Sequence, residues 1–157
     1  MIIDTSDLAD FKNRYSLQNK KIVLIGGCFD ILHIGHLTLL EKSKQVGEIL
    51  VVLLEGDQTI KRLKGDNRPV FSQSDRAKML DAIKYVDLVI LLGPMSDQGY
   101  DELIQKISPD VIATTKGDKS IHHKHRVAEL VGATVEEVTG EVSDQSTTSL
   151  IRKLGID

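Results

Sequence analysis

Apolar residues in this chain cluster into five short runs, at residues 21–25, 49–54, 88–92, 111–113 and 134–138, and the segments between them show helical spacing. The run Ile49-Leu50-Val51-Val52-Leu53-Leu54 is apolar throughout, as suits a central parallel strand covered on both faces. Residues 36–46 read as a helix stopped at Gly47, a C′ residue. Ser72 and Asp75 are spaced like a capping box, and Met79, Leu80 and Ile83 form the buried face of the helix they open. Gly93-Pro94 ends the third strand, and a helix around Leu103, Ile104 and Ile107 follows. Ser120 is placed to cap a helix carrying Val127, Ala128 and Val131. A last helix opens at Ser146-Thr147-Thr148 with Leu150, Ile151 and Leu154 on one side. Near the start, residues 6–15 read as a short helix with Ser6 as N-cap and Leu8 and Phe11 three apart, and residues 61–69 read as a polar loop.

Strand and helix thus alternate about five times, which predicts an α/β fold: a single Rossmann-like domain with a five-stranded parallel sheet and helices on both faces. No repeat, low-complexity tract or linker divides the chain. Residues 1–157 are therefore read as one domain, with residues 1–20 as an N-terminal helical extension. A length of 157 residues supports a sizeable core, and 41% hydrophobic with 27% charged residues is an ordinary globular balance. The net charge of −3 and pI near 5.9 argue against nucleic acid as the main partner. The apolar runs are far too short to span a membrane, so no membrane partner is expected. No signal peptide is apparent, and the single cysteine, Cys28, has no internal partner, which favours a reducing compartment. A cytoplasmic location is expected.

Candidate chemistry gathers where strands end, because ligands of such sheets bind beyond the carboxyl ends. After the first strand come Gly26-Gly27, then Cys28, Phe29 and Asp30, then His33 and His36 where a helix begins. Glycines let backbone approach a ligand, a helix N-terminus attracts phosphate, and two imidazoles on one edge donate to phosphate oxygens. The segment reads as a nucleoside triphosphate cradle. Phe29 is most simply core, Cys28 a small buried thiol, and Asp30 either orients a neighbour or makes a structural hydrogen bond. Lys61, Arg62, Lys64 and Arg68 put four cations within eight residues. They are either a solvated face or, with Lys64 foremost, a site that neutralises phosphate oxygens. Arg76 either grips phosphate bidentately or pairs with Asp75 or Asp66. Lys116-Gly117-Asp118 lies on the same sheet edge, where glycine permits close contact and the carboxylate accepts a hydroxyl or amine. Ser146, Thr147 and Thr148 offer one cap and two further hydroxyls to a phosphate. His122-His123-Lys124-His125 reads as a solvated helix start, since no nearby cysteine or carboxylate completes a metal-ligand set.

Gly-Gly-Cys-Phe-Asp-Ile-Leu-His-Ile-Gly-His resembles the HxGH signature of the nucleotidyltransferase (cytidylyltransferase-like) superfamily. The resemblance extends through residues 61–69, Asp75-Arg76 with Leu80, Tyr85-Val86-Asp87, and Ser146-Thr147-Thr148 with Leu150-Ile151, and it looks closest to the heptose-1-phosphate adenylyltransferase and glycerol-3-phosphate cytidylyltransferase branch. It implies phosphate-binding roles for His33, His36, Lys64, Arg76, Ser146, Thr147 and Thr148. It also implies ATP or CTP as donor, Mg²⁺ carried with the nucleotide, a small phosphorylated metabolite as acceptor, and a possible homodimer. The resemblance most favours adenylyl transfer to a sugar (heptose) 1-phosphate. The other readings are cytidylyl transfer to glycerol 3-phosphate or another alcohol phosphate, an FAD-synthase-like reaction, and a catalytically degenerate nucleotide-binding protein. Departures from the family pattern fall at Lys116, Lys119, Asp144 and Gln145, near the base and acceptor pockets.

Overall fold

A computed structural model describes residues 1–140, 151–153 and 155. Among the described residues six parallel strands form one sheet: β1 (Ile2–Asp4), β2 (Ile22–Gly27), β3 (Ile49–Leu54), β4 (Leu88–Leu91), β5 (Val111–Thr115) and β6 (Thr134–Thr139). Their spatial order is β1-β4-β3-β2-β5-β6. The chain winds outward from β2 to one edge and then crosses back to β5, so β2 lies at the point where the winding reverses, beside which α/β ligands bind.

The helices are α1 (Phe11–Arg14), α2 (Ile34–Gln45), α3 (Asp57–Lys64), α4 (Gln73–Asp81), α5 (Asp97–Ile107) and α6 (Ile121–Val131). Alternation along the strands distributes the apolar runs between two layers. Ile22, Leu24, Val51, Leu53 and Ile90 face Leu103, Ile104 and Ile107 of α5 and Val127 and Ala128 of α6. Val23, Ile25, Leu50, Val52 and Leu54 face Leu40 of α2 and Ala77 and Leu80 of α4. Each fully buried Leu or Ile contributes about 1.5–3 kcal/mol, so both faces of the sheet anchor the strand ends that carry the site.

The expected five-stranded sheet gains a sixth strand. β1 pairs with β4 at the edge, with Ile3 opposite Ile90. Its three residues include only one buried side chain, too few for an alternating pattern to show. The expected helical extension over residues 1–20 is corrected accordingly: after β1 comes a 3₁₀ turn at Thr5–Leu8, then α1. Asp10 separates the two with φ 54°, and Ser6 lies inside the turn instead of capping it. Leu8 and Phe11 are both buried, as their spacing predicts. The expected polar loop at residues 61–69 also needs correction, because its first four residues close α3. Only Ile60 of α3 is buried, so the helix carried almost no apolar signal. α2 begins at Ile34, not at residue 36. Ser72 accepts from the Asp75 N–H, the expected cap of α4. Ser120 stands at the N-cap of α6 but makes no side-chain cap; its hydroxyl donates to Asp118 at 2.6 Å.

Candidate active site

Everything in the cradle follows from how β2 ends. Phe29 adopts φ 45° and folds its ring back over Gly27, where an added Cβ would lie 2.9 Å from Phe29 Cε2. Gly27 is thus the residue that admits the ring, whereas a Cβ on Gly26 would meet nothing closer than 3.9 Å. The Phe29 ring in turn lies 5.1 Å from that of His36, and His36 stacks on His33 at 3.8 Å with a 29° tilt. His33 is the N-cap of α2; its carbonyl accepts from the N–H groups of His36 at 2.9 Å and Leu37 at 3.2 Å. One packed column therefore runs from a glycine on the central strand to the two imidazoles at a helix N-terminus.

Burial, the neighbouring His33 and the Lys64 ammonium push the His36 imidazole down to about 4, with the Ile31 backbone carbonyl working the other way. Burial lowers His33 as well. Both rings are consequently neutral at pH 7 and stack without mutual repulsion. Nδ1 of His33 is buried with no partner among the described residues.

The basic segment divides into distinct tasks. Lys61 pairs with Asp66 on the surface at 3.4 Å. Arg68 donates to the buried Asp30 at 2.6 Å, and the same carboxylate accepts from the Val70 N–H at 2.8 Å and the Phe71 N–H at 3.1 Å. Burial alone would raise the Asp30 pKa, but the Phe71 N–H, Arg68 and the Val70 N–H outweigh it and hold the carboxyl below its ordinary value. Asp30 is thus a staple for the chain entering α4. Lys64 makes no ion pair among the described residues, and its charge is felt at both Cys28 and His36, so it lies near them. Burial raises the Cys28 pKa and keeps it a thiol, not a thiolate.

Arg76 is 0% exposed. Its guanidinium donates to the carbonyls of Phe71 at 3.0 Å, Cys28 at 2.5 Å and Glu55 at 2.9 Å and to the Asp57 carboxylate at 2.6 Å. It ties the ends of β2 and β3 to the starts of α3 and α4. Neither surface partner considered for it, Asp75 or Asp66, is the one it takes. This arrangement suits a brace beneath the site better than a hand that closes on phosphate.

Beyond the carboxyl ends of the strands opens a cavity of about 530 Å³, whose floor includes Gly26, Gly27 and Cys28. Asp118 reaches it from the turn after β5, where Gly117 has φ 78°. Burial would raise the Asp118 pKa, but the Lys124 ammonium, the Ser120 and Thr114 hydroxyls and the Ser120 N–H hold it well below the carboxylate range. Lys116 and Gly117 form the exposed part of that turn, and the Lys116 N–H donates to Thr139 at 2.9 Å. Arg62 of the basic run lines the cavity, and three further lining residues, Glu55, Tyr100 and His123, have no place in the site read from the sequence. Glu55 was the most legible, since it directly follows the apolar run of β3. His123, read as part of a solvated helix start, lies 5.5 Å from the Tyr100 ring. Ser146, Thr147 and Thr148, with Asp144 and Gln145, lie outside the described residues. Ile151 is buried in a helical stretch, on the apolar side expected for it.

A stacked histidine pair thus lies at the switch point of a parallel sheet, close to Lys64 and to a cavity floored by Gly26, Gly27 and Cys28. The cytidylyltransferase-like family model matches residues 24–153, and the chain belongs to that family of nucleotidyltransferases. It is 39% identical over 141 residues to the bifunctional protein HldE of Campylobacter fetus, covering 90% of this chain and 29% of that protein. The HldE of Helicobacter pylori strain J99 is 39% identical over 138 residues, covering 86% of this chain and 28% of that protein. The chain therefore spans under a third of these curated relatives. Among solved structures, the lipopolysaccharide core biosynthesis protein of Thermoplasma volcanium aligns with TM-score 0.63 and 27% identity, over 82% of this chain and all of that one. A pantoate-beta-alanine ligase from Francisella tularensis has TM-score 0.63 at 13% identity over 99% of this chain and 77% of that one, a likeness of fold alone. Among the described residues no helix is long and apolar enough to cross a membrane.

Proposed function

We propose that this chain transfers an adenylyl group from ATP to the phosphate of a sugar 1-phosphate, a heptose phosphate in the reading the motifs favour, with release of pyrophosphate. The observation that carries it is the neutral His33–His36 stack at the N-terminus of α2, adjoining the cavity across Gly26-Gly27-Cys28. The resemblance at residues 61–69, 75–80 and 85–87 and the HldE relatives support the choice of acceptor.

In this reading an acceptor phosphate oxygen attacks the α-phosphorus in line, the bond to the bridging oxygen of the β-phosphate breaks, and pyrophosphate leaves. No protein nucleophile is required, because such chemistry rests on positioning and charge stabilisation. A neutral His33 has one N–H to give a phosphate oxygen. His36 gives its N–H to the Ile31 carbonyl and gains a second for phosphate when it takes up a proton, and Lys64 supplies the fixed positive charge. Arg76 and Asp30 act beneath them as positioning residues. Ser146, Thr147 and Thr148 join the phosphate site by resemblance. Mg²⁺ would be held chiefly by the triphosphate's own oxygens, where it neutralises charge on the leaving group. Among the described residues no three carboxylate, histidine or cysteine side chains converge into a metal cage. A screen of pyrophosphate release, four nucleoside triphosphates against sugar, polyol and alcohol phosphates, tests the proposal. Turnover confined to CTP with glycerol 3-phosphate, or binding of triphosphate without release, overturns it. Sedimentation of the same sample tests the homodimer that the resemblance implies.

A further inference from the structure

Glu55 is the first residue past β3, and both of its backbone groups are fixed. Its N–H donates to the Gly27 carbonyl at 3.1 Å, and its carbonyl accepts from Arg76 at 2.9 Å. The side chain lines the cavity from that rigid base. Among the described residues its carboxylate accepts no hydrogen bond and makes no ion pair. Partial burial pushes its pKa up in spite of the charges of Arg76 and Arg62. Tyr100, on α5, lines the same cavity, and its hydroxyl also has no partner among the described residues. Burial, then the Glu55 charge, push the Tyr100 phenol up to about 12, so it stays a donor and lies within the field of Glu55. By contrast, Asp118 and Lys124 saturate one another.

The cavity thus holds one strong acceptor and one donor that the described part of the protein leaves unused. Both side chains are half-buried in the cavity wall and keep their polar ends accessible from it, so a ligand that enters the cavity can use them. Two guanidinium groups already act on Glu55, so a cationic ligand would meet like charge there, whereas a neutral hydroxyl meets none. We infer that Glu55 and Tyr100 select a polyhydroxylated acceptor, Glu55 taking hydrogen bonds from its hydroxyls and Tyr100 donating to a neighbouring oxygen. This rests on reading the cavity as the acceptor site of the transfer proposed above.

Calorimetric titration of the protein, loaded with a non-hydrolysable ATP analogue, decides it. The probes are mannose 1-phosphate, ethyl phosphate and ethanolamine phosphate. Wild type is expected to bind mannose 1-phosphate at least about 10-fold more tightly than the other two. E55L should lose that preference by roughly 10- to 100-fold while its affinity for ethyl phosphate holds, and E55Q, which keeps an acceptor oxygen without the charge, should fall between. Y100F, a change of one atom, should weaken mannose 1-phosphate alone by about 5-fold. No binding of mannose 1-phosphate, a preference for ethanolamine phosphate, or equal losses on all three phosphates overturns the inference. Pyrophosphate release is read separately. A wild type that shows this binding pattern yet releases none overturns the transfer proposal and leaves the selection by Glu55 and Tyr100 standing.

Discussion

Arg76 donates to the backbone carbonyl of Cys28 at 2.5 Å, so a guanidinium on α4 holds the last turn of chain before the histidines. That contact is one of four made by a side chain with no exposure. Replacement by methionine would leave three carbonyls without this donor and the half-exposed Asp57 carboxylate to water. The expected loss is about 3–5 kcal/mol of stability, read by urea denaturation. R76K keeps the charge but not the planar fork and should recover only part of it.

Gly27 and Gly26 separate a packing role from mere proximity to the site. Gly27→Ala must displace the Phe29 ring, and through it His36. Strain of about 1–3 kcal/mol and a fall in kcat are expected, followed by thermal unfolding and pyrophosphate release. Gly26→Ala, with ordinary contact distances, should leave stability within about 1 kcal/mol.

Single replacement of His33 or His36 by alanine should lower kcat by about 10²- to 10³-fold, the usual effect of losing one preorganised donor. Steady-state pyrophosphate release checks this; full turnover in both variants would remove the histidines from the chemistry.

The depressed pKa of His36 fixes the sign of a pH effect. Between pH 6.5 and about 4 the unfolded chain takes up a proton at this imidazole that the folded chain refuses. Stability therefore falls as pH drops through that window, and H36Q should flatten the slope of Tm against pH there. Arrival of a triphosphate reverses the bias, because an anion favours the imidazolium. ATP binding at pH 6 should draw protons from solution, seen as a calorimetric enthalpy that varies with the ionisation heat of the buffer.

Much of the architecture was legible because continuous apolar strands and amphipathic helices alternate with little interruption. The clustering of His33 and His36 with Gly26 and Gly27 was legible because the glycines close β2 and the histidines follow within a few residues. Other features depend on tertiary context. β1 earns its place only by pairing with β4, and α3 buries one side chain, so neither leaves a periodic trace. Arg76 reads as a surface cation until the carbonyls around it are known. Glu55, Tyr100 and His123 come from three separate elements, and no spacing along the chain could have brought them together.

β2 lends its strand end to the cradle while hydrogen-bonded on both sides, to β3 over six registered positions and to β5 over two. Strands so flanked open last in native-state exchange, whereas edge strands such as β1 fray early. Amide protons of Val23, Leu24 and Ile25 should therefore trade for deuterium only when the entire molecule unfolds. The bedrock under the histidines would then endure as long as the native state itself, and local breathing at the sheet margins would leave it untouched.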